Sequence, residues 1–341
     1  MKRYLQLTFV MALVALASCT HKDLCENHRD HAHRYHINIV ADYRYDWEEC
    51  CGGTDWEENW PDHYIPYESL RPGKPGGLRV VNSNSAGNYN QHNVSADGGV
   101  VTLYEGKNDI LLYNNDTEYI IFSRKGDDVI STRATTRTRT RATYIGNKYA
   151  NDNEQTVAPP DMLYANFIGD YYPEKVVDPV DVYVTLQPMV FTYKVRYEFA
   201  EGLKYVAVAR GALSGMASSV YLQTGKTSDD GATILYDCTV TDWGVRALVN
   251  SFGIPSNEKE NYPTRQENEI RHALNLEVML RNGKTVIFEK DVTDQVKAQP
   301  RGGVIVFDNI VITEDQGTSG SGAFDVEVDD WGPYEDIVLP L

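Results

Sequence analysis

The stretch Asp97–Ser123, DGGVVTLYEGKNDILLYNNDTEYIIFS, decides the fold class of this chain. Three short runs within it are rich in Val, Ile, Leu and Tyr: Val100–Tyr104, Ile110–Asn114 and Tyr119–Ser123. Clusters of Gly, Asn and Asp separate these runs, and such clusters form tight turns. Short apolar runs at this spacing, bounded by turn residues, predict consecutive antiparallel strands of a sandwich or barrel.

The same pattern continues on both sides of this stretch. Helical patterns do not alternate with the strand-like runs, which argues against a parallel α/β sheet. The sequence therefore predicts an all-β protein built from two tandem antiparallel β-sandwich domains. The further predicted strands are His36–Tyr45, Gly77–Asn82, Asp181–Gln187, Val190–Phe199, Lys204–Arg210, Ser219–Gln223, Thr233–Val240, Ala273–Arg281, Val286–Lys290, Gly303–Val311 and Phe324–Val328.

Three segments of the second half carry more specific local signals. Arg281–Lys284 contains Asn-Gly, which can take the two positive φ values of a type I′ hairpin turn. Thr293–Ala298 is the one clearly helical pattern, with Thr293 as its N-cap and Pro300 beyond its end. Val245–Phe252 fits a helix by its apolar spacing and a strand by its β-branched residues, so both alternatives stay open.

Charge limits the classes of partner. The chain has 341 residues, with 49 Asp and Glu against 32 Lys and Arg, and a net charge of -17. Nucleic-acid binding requires a basic face, so a nucleic-acid partner is not expected. Such acidity suits a well-solvated secreted protein.

The N-terminus carries an export signal. Lys2 and Arg3 precede the mostly apolar run Leu5–Ala17, which is too short to span a bilayer and predicts a cleaved signal peptide. Cys19 follows Leu-Ala-Ser and resembles the lipobox cysteine of bacterial lipoproteins, which implies lipidation of Cys19 and a membrane anchor. The alternative is an ordinary secretory signal with a chance cysteine.

These observations divide the chain into four predicted segments. Residues 1–18 form the lipoprotein signal peptide, and the polar residues 19–34 form a tether. Residues 35–150 form the N-terminal β-sandwich, and residues 151–341 form the C-terminal β-sandwich. The polar stretch Gly146–Pro160 is the predicted hinge between the two domains.

Four cysteines remain if Cys19 is lipidated. An exported compartment permits disulfides, and Cys25 could pair with Cys50 or Cys51, but the sequence leaves three connectivities open. We expect Cys238 to be a free thiol in a strand. Cys25, His28, His31 and His33 could in principle surround a metal, but their spacing matches no established finger, and we expect no metal site.

Catalytic signatures are missing from the sequence. Gly225-Lys226-Thr227 resembles the end of a phosphate-binding loop, but Val220 stands where that motif requires its first glycine. Gly317–Gly322 resembles part of a nucleophile elbow, yet Ser321 replaces its final glycine, so a flexible hairpin tip is the simpler interpretation. We therefore predict a non-enzymatic protein without a cofactor.

Two features could recognise a ligand. The aromatic residues Trp56, Trp60 and Tyr64 lie in a loop after the first predicted strand and could stack on sugar rings, or they could fold back and cap the first sandwich.

The second feature is an arginine-rich segment. Arg137, Arg139 and Arg141 alternate with threonines, so a strand would place all three on one face. Such a stripe could bind an anionic glycan, a lipid head group or a partner's carboxylates. The alternative is a solvated edge strand that its charges protect from aggregation.

Several spaced motifs resemble one family. They begin after the lipobox and extend almost to the C-terminus: His21-Lys22-Asp23-Leu24-Cys25, Tyr45-Asp46-Trp47, Asp97-Gly98-Gly99, Tyr113-Asn114-Asn115-Asp116-Thr117-Glu118-Tyr119, Leu213-Ser214-Gly215-Met216-Ala217, Phe324-Asp325-Val326 and Asp329-Asp330-Trp331-Gly332. Together they are similar to a group of Bacteroidales surface lipoproteins close to the fimbrillin-associated anchor proteins of the fimbrillin superfamily.

This resemblance implies two transthyretin-like β-sandwiches on an outer-membrane lipid anchor at the cell surface. It also implies a fimbrial anchor or minor fimbria-associated subunit that contacts pilin-like subunits by strand addition, with a role in cell adhesion. The insertion Glu48–Pro66 and the pair Cys50-Cys51 depart from the anchor pattern. They leave open the alternative of a cell-surface glycan-binding lipoprotein or adhesin.

Overall fold

The computed structural model describes residues 34–45, 72–141, 144, 146, 148, 154–256 and 270–318, together with the backbone of 335–337. This part of the chain contains twenty strands, numbered β1 to β20 in chain order. They are His36–Tyr43, Gly77–Asn84, Tyr89–Ser95, Gly98–Thr102, Asn108–Asn114, Ile120–Ser123, Arg133–Thr136, Thr138–Thr140, Gln155–Val157, Tyr164–Tyr171, Val180–Pro188, Phe191–Glu201, Val206–Ala217, Ser219–Tyr221, Gly231–Val240, Gly244–Ser251, Ala273–Leu280, Thr285–Asp291, Gly303–Val311 and Glu335–Ile337.

Helical structure is sparse in the same residues. The two short α-helices are α1, Thr293–Ala298, and α2, Glu314–Thr318, and single 3₁₀ turns lie at Val129–Ser131 and Leu203–Tyr205. Among the residues described, no helix is long and apolar enough to cross a bilayer.

Seven strands close into a barrel in the order β1-β11-β10-β5-β2-β3-β4. β1 and β11 run parallel, and the other neighbouring strands run antiparallel. Alternate side chains of each strand point inward, and they fill the barrel with an apolar core that includes Ile39, Leu78, Leu112, Tyr164 and Leu186. Each of these five residues is almost inaccessible to solvent.

The second half forms a larger sheet with the order β18-β17-β13-β15-β16-β12-β19. β12 pairs with β19 in parallel, and α1 lies in the connection that leads into β19. The inner faces of these strands enclose a second apolar core, in which Tyr197, Leu213, Ile234, Leu276 and Ile305 are buried.

A small sheet joins the two halves. It consists of β6, β7 and β14 in the order β14-β7-β6. The last barrel strand in the chain is β11, and β7, which precedes it, pairs directly with β14, which follows it. Its apolar face packs on the outside of the barrel, where Val81 and Leu111 meet Val129, Ala134 and Val220. The barrel is therefore buried on its inside and on part of its outside.

The predicted all-β class is confirmed, and most predicted strands are present. The structure differs from the purely antiparallel pattern that the sequence predicted, because β1–β11, β12–β19 and β9–β15 are parallel pairs. The ambiguous Val245–Phe252 lies mostly in strand β16. The helix at Thr293–Ala298 is confirmed, although it begins at Thr293 with Val292 as its N-cap, so the predicted cap position was wrong.

The turn at Arg281–Lys284 also differs in detail. The hairpin between β17 and β18 is present, but Gly283 has positive φ and Asn282 does not, so the turn is not type I′. The Gly283 N–H donates to the Leu280 carbonyl at 2.8 Å, and Leu280 N–H donates to the Lys284 carbonyl at 2.8 Å. These bonds fit a longer hairpin loop that closes on a glycine in the left-handed region.

Strand pairing places the barrel's limit later in the chain than residue 150. β10 and β11 lie beyond that position, and both pair with barrel strands. A hinge was predicted at Gly146–Pro160, but its described residues bond to the second sheet. β9 pairs with β15, and the Gly146 carbonyl accepts a hydrogen bond from Asn275 Nδ2 at 3.2 Å. The predicted hairpin tip at Gly317–Gly322 begins inside α2, and Phe324–Val328 lies outside the described residues.

Candidate functional site

Several residues that the sequence singled out lie outside the part of the chain that the structure describes. They are the predicted lipidation site Cys19, the aromatic residues Trp56, Trp60 and Tyr64, and the N-terminal cysteines and histidines. Their roles stay predictions. Cys238 is described, and its free thiol in β15 is confirmed. Burial raises the pKa of this thiol far above its usual value, which makes it a poor nucleophile.

The arginine-rich segment is fully described, and it is not one continuous strand. The ladder breaks at Arg137, where the chain passes from β7 to β8. The Arg137 N–H donates to the Tyr119 carbonyl, and its own carbonyl accepts from the Ala158 N–H, both at 2.9 Å. The guanidinium groups of Arg137 and Arg139 lie 5.8 and 5.4 Å from the centre of the Tyr119 ring.

Arg141 is buried rather than presented to solvent. Its side chain is 3% exposed, and one of its terminal nitrogens lies 3.6 Å from Glu277 Oε2. Arg210 Nε donates to the same oxygen at 2.8 Å. We call Arg141, Arg210 and Glu277 the buried ion cluster. The predicted solvent-facing stripe of three arginines is thus not present, because the end of the segment folds into the protein.

The buried ion cluster lies on the side of the second sheet opposite its apolar core. Ala209 and Leu276 point into that core, so their neighbours Arg210 and Glu277 point outward by strand alternation. Arg210 and Glu277 also face each other in the β13–β17 ladder. Because a buried charge is costly unless it is paired, the shared carboxylate is what makes this covered charged face tolerable.

Tyr144 and Glu154 contribute to this cover together with Arg141. Glu154 Oε2 accepts hydrogen bonds from Thr233 Oγ1 at 2.8 Å and from the Gly215 N–H at 3.0 Å. The Tyr144 ring lies 5.0 Å from the Arg141 guanidinium, and burial raises the pKa of Tyr144 to about 12. The arginine-rich segment therefore serves as packing for the second sheet at its Arg141 end.

The residues just before Arg141 form a sheet edge. β9 pairs with β15, β8 pairs with β9 through Thr138 and Val157, and β20 then pairs with β8. The β8–β20 ladder contains three residue pairs, in which Thr140, Arg139 and Thr138 face Glu335, Asp336 and Ile337. A strand from the C-terminal end of the chain thus occupies the outer edge of β8.

Sequence reasoning missed Glu277 as the partner of Arg141. A signal was available, since Glu277 interrupts the apolar run Leu274–Leu280 of a predicted strand, and a charge in such a run often has a buried partner. Alternation could not identify that partner. Among the described residues, no three His, Cys, Asp or Glu side chains form a group that could hold a metal ion.

The sequence of this chain is similar to those of known proteins. Residues 69–237 match a family model described as a domain of unknown function, DUF5119. The chain is 22% identical to the "Putative fimbrium anchoring subunit Fim4B" of Bacteroides ovatus over 375 aligned residues, which cover 99% of this chain and 98% of that protein.

The fold is similar to that of a solved structure. A crystal structure of a "putative adhesin" from Bacteroides ovatus is similar with a TM-score of 0.55 and 19% identity, over 89% of this chain and 98% of that one. The fimbrial anchor protein Mfa2 from Porphyromonas gingivalis matches with a TM-score of 0.42 and 11% identity, over 80% of this chain and 90% of that one. The chain is thus similar to the DUF5119 family model over residues 69–237 and to a fimbrium anchoring subunit along nearly its whole length, which confirms the family resemblance seen in its motifs.

Proposed function

We propose that this protein is a non-enzymatic, fimbria-associated subunit at the cell surface, acting as an anchor or a minor subunit. The observation that carries the proposal is the similarity to a fimbrium anchoring subunit over 99% of this chain. Both modules and the strands that join them are included in that match, whereas a shared sandwich alone would match one module. An all-β framework without a metal-like cluster among its described residues is compatible with an assembly role.

A lipid on Cys19 would hold the protein at the outer membrane. The motif Leu-Ala-Ser-Cys and the polar tether 19–34 support this part of the proposal. These sixteen residues span at most about 58 Å when extended, so the barrel, which begins at His36, would lie near the membrane. A Cys19→Ala variant should leave the membrane fraction and lose incorporated fatty acid. If it stayed in that fraction to the same extent, the lipid anchor would be excluded.

We place the two proposed transthyretin-like modules on either side of Pro188. β10 and β11 support this division, because both complete the barrel although they follow residue 150. β14 crosses the division to pair with β7, so the modules share a sheet. An anchor that transmits force between a membrane and a fibre benefits from such a shared sheet, because the two modules do not hang from a single linker.

The β8 edge is the proposed place for strand addition. β20 holds it through three residue pairs, and a ladder of this length contributes little stability. A longer strand from a neighbouring subunit could replace β20 and bond to the same main-chain groups of Thr138–Thr140. The acidic side chains of Glu335 and Asp336 belong to the strand that would leave.

A reversible lock tests this proposal. Cysteines replacing Thr138 and Ile337, which face each other in the ladder, would bridge β20 to β8 on oxidation. Cross-linking on whole cells should recover pilin-like subunits with the reduced variant and far less with the oxidised one. The single variants Thr138→Cys and Ile337→Cys are the controls. Equal recovery in both redox states would exclude the β8 edge, and no pilin-like partner with any variant would overturn the fimbrial function.

A further inference from the structure

A polar cleft opens where the barrel meets the second module. Its volume is about 620 Å³, and its walls come from β10, the end of β11, the turn after β14, the loop that follows β16 and the turn before β19. This volume falls in the range of small-molecule sites, which often lie between domains. The cleft is separate from the β8 edge and from the buried ion cluster, since it shares no lining residue with either.

The cleft opens where the hydrogen-bonded ladder between β10 and β11 stops. β10 and β11 pair only through Tyr164–Pro188 and Ala165–Gln187. Beyond these pairs the two strands separate, and Asn166 Nδ2 instead donates to the Thr185 carbonyl at 2.8 Å. Gln187 Nε2 donates to the same carbonyl at 3.3 Å. Both amides are thereby held at the cleft wall.

The opposite wall is also held in place. Thr227 Oγ1 donates to the Ile254 carbonyl at 2.7 Å and lies 2.8 Å from Ser256 Oγ. The Thr227 N–H donates to the same serine oxygen at 3.2 Å. These bonds tie the turn after β14 to the loop after β16, so the hydroxyl and amide groups on this side, including Gln223, have a fixed backbone.

The charge of the cleft differs from that of the whole protein. Among the described residues that line it there is no Asp or Glu, although the chain contains 49 of them. Arg301 is exposed at its rim, with its guanidinium 5.9 Å from the centre of the Phe191 ring. Arg301 makes no ion pair with any carboxylate of the described residues. A solvent-facing guanidinium beside an aromatic ring suits a carboxylate on a larger, partly apolar ligand.

We infer that this cleft binds an acidic saccharide of one or two rings. Sugar hydroxyls suit the amides of Asn166, Gln187 and Gln223, because each amide can pair with a hydroxyl as donor or acceptor. The Phe191 ring offers the apolar C–H face of a sugar a surface to stack on. Arg301 then pairs with the sugar carboxylate and discriminates the acidic ligand from its neutral counterpart.

Ligand-observed NMR titration of the purified full chain tests the inference. The acidic probes are glucuronic acid and digalacturonic acid, and their neutral counterparts are glucose and galactobiose. At least one acidic probe should bind saturably, about tenfold or more tightly than its neutral counterpart, because a hydrogen bond to a charged group contributes more than a neutral one. Arg301→Ala should remove this preference, and Gln223→Ala should weaken binding of both members of the pair.

An exposed arginine elsewhere provides the matched control. Arg246 lies on β16 and does not line the cleft, so Arg246→Ala should leave binding unchanged. Failure of every acidic probe to bind at millimolar concentration would overturn the inference. Equal binding of acidic and neutral probes, or an unchanged preference in Arg301→Ala, would also overturn it. These outcomes are independent of whether the protein associates with fimbrial subunits.

Discussion

The barrel and the second sheet both bury polar side chains, but they bury different kinds. The barrel buries the neutral amides Asn82, Asn108 and Asn114, all nearly inaccessible to solvent, together with His36 on β1. In the second half, Arg210 and Glu277 are buried as an ion pair. His272, which directly precedes β17, is buried as well. Two modules of similar strand content therefore respond differently to a lost charge or to a change of pH.

In the barrel, the buried Asn108 amide satisfies the backbone groups of a turn. Asn108 Nδ2 donates to the carbonyls of Tyr104 and Gly106 at 2.8 and 2.9 Å, and its Oδ1 accepts from the Tyr104 N–H at 3.0 Å. One side chain thus satisfies the turn between β4 and β5 without any charge. Asn114 acts across strands instead, because its Oδ1 accepts from the Tyr164 N–H at 2.7 Å.

In the second sheet, buried ions pair with residues that are distant in the sequence. Arg141, Arg210 and Glu277 come from positions far apart in the chain, and strand pairing brings them together. The comparison teaches that the barrel's amides satisfy buried polar groups without any charge, whereas the ions of the second sheet hold Arg141 on its outer face. The predictions below test this difference.

Removing the shared carboxylate should have the largest effect. Glu277→Ala removes the carboxylate that Arg141 and Arg210 share, and breaking a buried ion pair from one side costs about 3–5 kcal/mol. The free energy of unfolding, measured by urea titration, should fall by this amount. Glu105→Ala, at an exposed position on the β4–β5 turn, is the control and should change it little. Equal losses in the two variants would mean that the buried ion cluster does not stabilise the sheet.

Removing a barrel amide should have the next largest effect. Asn108→Ala leaves several buried backbone groups of one turn without partners, and we expect a loss of about 2–3 kcal/mol in the same measurement. Asn88→Ala removes an exposed amide from another turn of the barrel and should be nearly neutral. A loss with Asn108→Ala that varied with pH between neutral and mildly acidic values would contradict the contrast between the modules.

The smallest expected effect is a pH dependence carried by His272. Burial lowers the pKa of His272 to about 4, so the folded protein keeps it neutral. The unfolded chain binds the proton more readily, so stability falls as the pH drops below about 6.5 and continues to fall toward the folded pKa. Between pH 7 and pH 5 this amounts to about 2 kcal/mol.

His272→Gln should flatten that part of the pH profile. The measurement is urea unfolding at a series of pH values, compared with His92→Gln in the barrel. His92 lies on β3 and is partly exposed, so its replacement should leave the slope unchanged. If His272→Gln retained the full slope, burial of this imidazole would not be the cause of the acid sensitivity.

Strand prediction succeeded where a strand carries a clear apolar run. β2, β5 and β19 carry clear apolar runs and lie close to their predicted bounds. β3 was missed because it is polar throughout and none of its seven residues is fully buried, so no alternation marks it. β10 was missed because Gly169 and Asp170 interrupt its apolar run, and Asp170 takes a positive φ there.

The candidate sites show the same limit. Period two correctly indicated a strand around Arg139, but it could not say which face a later segment would cover. Arg141 is buried because Glu277, more than a hundred residues later, supplies its carboxylate. The saccharide cleft had no signal at all, since its residues come from five separate parts of the chain and share no motif.

Amino-acid order alone determined the all-β class, the position of most strands, the acidic surface and the motifs of the family, because these depend on patterns within about ten residues of one another. Tertiary structure decided that β1 pairs in parallel with β11, that the barrel's limit lies after β11, and that an arginine is buried on an acidic protein. The reason is physical. The hydrophobic periodicity of a strand indicates that one of its faces will be covered. Which residues cover that face depends on how the sheets close, and this brings together residues that are far apart in the chain.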